Sequence, residues 1–310
     1  MIAWITARLA EQRLTAPHYH AISRPNIAED EATYRIIALA ELSDVPILIV
    51  HMSSKTAASH VRSAQTRLLP VHAEKCPHYL YPTADALKPA PRSDAFPGAK
   101  DICSPPLRED RIDLEAMWTG IVNGTFTTLS SDHAPSRYDH PRGKKAGLTE
   151  AGSMRYDKVP NGLPLLFEGG VLSGRVTPQK FVELMATNQA KLYGLGESKG
   201  AIAAGYDADF VIWYPTGEQA AMYEGNAATM KPFVLENEML HHDIDYSPFE
   251  GMTFHNWPRY TVLRGEMVWD RDNGGVVGEL GFGRFLRRGK STLSKPRMAH
   301  ESVFSSWDTA

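Results

Sequence analysis

"TFTTLSSDHAPS", residues 125–136, is the stretch on which the fold turns. Phe126 and Leu129 among β-branched threonines predict a strand over 125–131. The run stops at Asp132, with His133 and then Pro135 behind it. An aspartate there has two readings. It satisfies orphan backbone N–H groups as a cap, or it ends a strand of a parallel sheet, where α/β folds place metal ligands and proton carriers.

The neighbouring segments support a parallel sheet. In "DVPILIVHMSS" (44–54), Val45 and the run Ile47 to Val50 form a continuous apolar stretch, as in a strand covered on both faces, and it ends at His51. A helix, "TAASHVRSAQTRLL" (56–69), and a strand with loop, "PVHAEKCPHYLYPT" (70–83), follow. Residues 111–122 read as a further helix. Upstream, apolar residues at 1, 2, 5 and 9 alternate with Arg8, Glu11 and Arg13 in an amphipathic helix. A second helix is expected over 29–42, starting at Asp30 with Thr33. Strand and helix in alternation imply a doubly wound sheet or a barrel, and both put their sites at the C-terminal strand ends. No G-x-G-x-x-G follows a strand, so a dinucleotide site has no support.

Pattern changes mark the remaining organisation. Residues 89–110 are a Pro-rich loop and 136–158 a polar insertion. "TPQKFVELMATNQAKLYGL" (177–195) is a helix with Thr177 capping and Pro178 at its first position. After residue 200 the pattern becomes antiparallel β. "GAIAAGYDADFVIWYP" (200–215) reads as two short strands around a Gly-Tyr-Asp turn, and 258–277 as a hairpin turning at Arg264-Gly265. This divides the chain into 1–198, a smaller β module at 199–289, and a polar tail at 290–310 with one late aromatic cluster.

Composition excludes some classes. The net charge is −3, with 33 Lys+Arg against 36 Asp+Glu, so no basic excess favours nucleic acid or an anionic membrane. No apolar run approaches the ~20 residues that span a bilayer. The first residues lack the apolar block of a signal peptide. Cys76 and Cys103 make no disulfide framework and fit a reducing compartment, which points to the cytosol.

His51 and Asp132 stand alike, each just past an apolar strand, and together suit zinc, manganese or iron. His72 and His78 read as packing and loop residues. His18-x-His20 lies in a Pro-flanked loop and reads as loop structure; Lys75, His241 and His242 read as surface or sheet residues. The proline-stiffened loops "CSPPLRED" (103–110) and "VPNG" (159–162) offer rigid backbone amides to an amide-bearing ligand. A small stand-alone metal hydrolase using His18, His20, His51 and Asp132 is a further reading, but it needs a different closure of the fold.

Taken in order, "IVHMSS" (49–54), "AEKCPHYLYPT" (73–83), "GAKDICSPPLRED" (98–110), "TLSSDHAPS" (128–136), "VPNGLPLL" (159–166), "NQAKLYGL" (188–195), "KGAIAAGYDADFVIWYP" (199–215) and "YTVLRGEMVWDRD" (260–272) form one set. The set resembles the dihydropyrimidinase and hydantoinase branch of the amidohydrolase superfamily. "CPHYL" and "SDHAP" are shared with allantoinase and dihydroorotase, so the substrate is the softer part of the resemblance. The resemblance implies a TIM-type (β/α)8 barrel with a β-sandwich at its side. It implies two divalent metals, commonly zinc, whose bridging hydroxide attacks a cyclic amide. By resemblance, His51 is the metal ligand ending the sixth barrel strand. Asp132 is the ligand ending the eighth and the proton shuttle, and the backbones of Ser104 and Asn161 hold the amide edge of the substrate.

In the family pattern the H-x-H pair, the bridging carboxylated lysine, a further metal histidine and an oxyanion tyrosine all precede the position of Met1. His18, His20 and Lys75 have such residue types at other positions, and no role is carried to them. The resemblance thus implies an incomplete barrel, strands six to eight, with part of a sandwich. It implies a chain without activity alone and a homotetramer for the full-length form. The other readings are a non-catalytic assembly protein on the same fold and an allantoinase- or dihydroorotase-like enzyme.

Overall fold

The apolar run Ile47–Ile49 forms β1, and Val71–Lys75, where Val71 and Ala73 are interspersed with His72, Glu74 and Lys75, forms β2; the two pair in parallel, Ile47 opposite Val71 and Ile49 opposite Ala73. Thr128–Leu129 (β3) adds to β2 in the same sense, so the sheet order is β1-β2-β3. In this computed structural model the described residues are 1–88, 97–134, 136–141, 143–144, 162–216 and 230–296. These described residues fall into two compact units, one of those within 1–162 and 236–250 with 295–296, the other of those within 163–235 and 251–294.

In the first unit, helices Ile2–Glu11 (α1), Tyr19–Ile22 (α2) and Asn26–Ser43 (α3) precede β1. Lys55–Thr66 (α4) connects β1 to β2, and Arg111–Val122 (α5) precedes β3. Ser54 caps α4 through Ala57 N, and Asp110 caps α5 through Ile112 N. Ala57, Val61 and Ala64 share one face of α4 and are buried. The amphipathic reading of the first helix gives no buried face: no residue of α1 is buried, and Trp4 is 66% exposed. The second helix starts at Asn26, earlier than expected, behind Pro25 at φ −61°. Asp30 is not its cap; it accepts a hydrogen bond from Ser54 Oγ at 2.5 Å. The strand expected over 125–131 narrows to β3, although Thr127 N still donates to Ala73 O and Ser130 N to Lys75 O. The sheet is open, and no closed barrel is formed by the described residues.

The second unit begins as Leu163 continues the short helix Gly162–Leu166 (α6), which widens into a π turn, Phe167–Leu172. Pro178–Val182 (α7), a π turn over Glu183–Thr187 and Asn188–Leu192 (α8) form one helical run. Thr177 caps it as expected, accepting from Lys180 N at 3.1 Å. Phe210–Trp213 (β4), Phe233–Val234 (β5), Thr253–Phe254 (β6), Pro258–Leu263 (β7), Glu266–Asp270 (β8) and Gly275–Val276 (β9) are the strands. They make an antiparallel sheet ordered β4-β7-β8-β9 and a separate β5-β6 pair. The expected hairpin is present, with Arg264 and Gly265 both at positive φ, 51° and 85°, as a tight two-residue turn requires.

Three sequence expectations differ from this unit. Residues 200–215 hold one strand, not two, and Lys199 ion-pairs with Asp207 and Asp209 just before it. The division expected at 198/199 differs from the contact grouping, which places 163–198 with the antiparallel strands. Phe167 stacks on Trp213 at 4.0 Å and Phe181 meets the same ring edge-on at 5.8 Å. The described start of the tail is tied down: Gly289 N donates to Gly194 O, and Thr292 N to Lys191 O. Gly194 is required there, since an added Cβ would lie 2.1 Å from Gly289 O. The aromatic cluster of the tail lies outside the described residues.

Candidate functional site at the C-terminal ends of the parallel strands

β1, β2 and β3 run in the same direction, so their C-terminal ends share one side of the sheet. His51 follows β1 by two residues and Asp132 follows β3 by three. Both are half-buried. Both also have left-handed backbones, φ 42° at His51 and 47° at Asp132. This region is uncommon for residues other than glycine, and such conformations concentrate at functional sites. No helix begins in the described residues from His133 to Lys144, so Asp132 does not cap one there. The backbone of His51 is held by β2: its N–H donates to Glu74 Oε1 at 3.3 Å, and Met52 N to Glu74 O at 3.2 Å.

His51 and Ser104 line one cavity of about 320 Å³, together with Glu29, Met52, Pro105 and Arg108. Asp132 is not among its lining residues. Asn161 lies outside the described residues. Three bonds fix the Ser104 loop. His20 Nε2 donates to Cys103 O at 2.9 Å, Tyr79 Oη to Pro105 O at 2.7 Å, and Cys103 Sγ to Pro105 O at 3.2 Å. His20 is fully buried. Burial first, and then the nearby charge of Arg24, lower its pKa to about 3, so it is neutral and serves the loop.

His72 Nδ1 lies 3.2 Å from Thr127 Oγ1, and His78 is buried with its ring 4.1 Å from that of Tyr79. His241 is exposed, while His242 is half-buried with its ring 5.9 Å from that of His133, beside Asp132. Lys75 is a sheet residue but not a surface one. It is completely buried, donates to Met52 O and sits 4.5 Å over the Tyr79 ring. Burial lowers its pKa to about 7. A lysine interrupting a buried strand was the available signal. Glu29 and Arg108 carried none, since neither stands in a catalytic pattern.

Among the described residues, no group of three or more His, Cys, Asp or Glu side chains could hold a metal ion. His51 and Asp132 are donors of the right type, but they do not make a two-metal centre by themselves.

The model of the "Amidohydrolase family" matches residues 22–268. The chain is similar to a D-hydantoinase of Ralstonia pickettii, 38% identical over 282 residues, which are 89% of this chain and 56% of that protein. It is also 37% identical over 297 residues to a D-hydantoinase of Geobacillus stearothermophilus, 94% of this chain and 57% of that one. Among solved structures, the dihydropyrimidinase from Brevibacillus agri NCHU1002 superposes with a TM-score of 0.83 at 32% identity, over 94% of this chain and 58% of its own. The chain therefore spans little more than half the length of these relatives, and its α/β class agrees with theirs.

Proposed function

The chain belongs to the amidohydrolase family, and on that premise we propose that it serves the hydrolytic opening of cyclic amides of the hydantoin and dihydropyrimidine class. The observation that carries the reading is the pairing of His51 and Asp132. Two donor residues leave parallel strands on one side of a sheet with the same left-handed backbone, one of them sharing a cavity with Ser104.

In the reaction, a water oxygen adds to the ring carbonyl carbon and the ring C–N bond breaks. One proton of the water passes to the leaving nitrogen, and the carboxylic acid so formed releases the other to solvent to become a carboxylate. Asp132 is assigned the proton: a carboxylate near the attacked carbon accepts it from water and returns it to nitrogen. The main chains of Ser104 and Asn161 are assigned to the amide edge, fixing which carbonyl is presented. His51 is assigned as a metal donor. The family resemblance implies two divalent ions, with zinc as the expected metal, but the donors described here do not fit a two-metal centre and no step is routed through one. The 310-residue chain alone is accordingly expected to be without turnover. A cytosolic homotetramer is the proposed form of the complete enzyme.

The short donor set also favours a second reading, a non-catalytic assembly protein on the same fold. Two samples separate them: the chain alone, and the chain fused to the part of the Ralstonia pickettii D-hydantoinase that it does not match. Each is assayed with hydantoin, dihydrouracil, allantoin and dihydroorotate, and for metal after dialysis. The proposal expects no turnover and substoichiometric metal for the chain, and opening of hydantoin or dihydrouracil by the fusion. A folded, metal-loaded fusion inactive on all four rings would support the assembly reading. Preference for allantoin or dihydroorotate would move the substrate class.

A further inference from the structure

We propose that the buried pair of Glu29 and Arg108 is the positioning element of the site, holding the His51 loop and the Ser104 loop in fixed relation. The inference rests on reading His51 and Ser104 as site residues. Glu29 lies in the first turn of α3, and its side chain is 11% exposed; that of Arg108 is 5% exposed. The carboxylate and guanidinium meet at 2.5 Å.

The rest of the network leads to the two loops. Glu29 Oε1 accepts from Ser53 N at 2.8 Å and Ser54 N at 3.2 Å, the second and third residues after His51. Glu29 Oε2 accepts from Ser53 Oγ at 2.5 Å. Arg108, four residues after Ser104, donates from Nε to Ser53 Oγ at 2.9 Å and from Nη1 to Arg24 O at 2.8 Å. Ser53 Oγ thus donates to the carboxylate and accepts from the guanidinium, joining the two loops through one hydroxyl.

A buried ion pair persists only when its remaining hydrogen-bonding capacity is met. Here both carboxylate oxygens and Nε, Nη1 and Nη2 of the guanidinium are used. Burial raises the carboxyl pKa, but Arg108 and Ser53 outweigh it and hold Glu29 below its usual range. Surface alternatives for this stabilisation are ordinary; what is particular is the placement. Glu29, Arg108, His51 and Ser104 line the same cavity. Few bonds separate the clamp from either site residue, so a shift of one loop is carried to the other.

The test is nuclear magnetic resonance of the whole 310-residue chain, reading the His51 imidazole and the Ser104 amide at one fixed pH. Arg108→Gln removes the charge, and Arg108→Lys keeps it. Val61→Ala, in the fully buried face of α4, serves as a destabilised control away from the clamp. We expect Arg108→Gln to move both resonances, Arg108→Lys to restore them at least halfway, and Val61→Ala to leave them in place. If Arg108→Gln does not fold, Glu29→Gln is read by the same criteria. Unmoved resonances, or equal movement in Val61→Ala, would overturn the proposal. The readout needs no activity, so its failure is separate from a failure of the cyclic-amide reading, which the fusion assay decides.

Discussion

His51 and Asp132 leave two strands of one parallel sheet in the same left-handed backbone conformation, at φ 42° and 47°. Histidine and aspartate tolerate this region better than most side chains, yet neither needs it to end a strand. The conformation turns each residue away from its strand direction just where the sheet's C-terminal side opens.

That conformation sets the first prediction. A β-branched residue is strained at φ 42° and glycine is not. His51→Val is expected to be less stable than His51→Gly by about 1–2 kcal/mol, measured by denaturant unfolding. Equal stabilities of the two variants would mean that His51 is not left-handed in solution.

Lys75 gives a pH dependence of known sign. Its pKa falls from 10.5 to about 7 on burial. Between those values the unfolded chain holds a proton that the folded chain has lost, so stability rises with pH across the window. Below about 7 both states are protonated and the cost of the buried charge is fully present. Lys75→Met should flatten the rise between pH 7 and 10 in urea unfolding. An unchanged slope would show that the amine reaches water.

His20 acts in the acid range. Its folded pKa of about 3 lies below the ordinary 6.5. The unfolded chain takes up the proton first as pH falls, so the stability present above pH 6.5 is lost progressively toward pH 3. His20→Gln keeps a donor for Cys103 O without the titration. It should lose less stability than the native chain between pH 6.5 and 4. Parallel curves would exclude His20 as the source of acid lability.

Local pattern made some of this legible. Apolar runs ending at His51 and Asp132, the Thr177-Pro178 start of a helix and the Arg264-Gly265 turn are each encoded by residues next to one another. The clamp is not encoded that way. Arg108 and Glu29 are 79 residues apart, and only tertiary approach makes them partners. Lys75 is in the sheet, as its pattern allowed, but not at the surface: a lysine in a strand ordinarily faces water, whereas here aromatic rings and a carbonyl replace it. Only one of the two short strands expected within 200–215 is present, and the ion pairs of Lys199 with Asp207 and Asp209 beside it are contacts that hydrophobic alternation does not register.

The most direct test of the account is Asp132→Asn in the fusion that carries the remaining D-hydantoinase portion. Asparagine keeps the shape and an oxygen but carries no proton. General acid–base help is worth about 10²–10⁴-fold, so turnover of hydantoin should fall by at least about 10²-fold, with substrate binding and metal content little changed. Near-normal turnover with the metal complement intact would contradict the account, leaving Asp132 a residue of the turn and not of the chemistry.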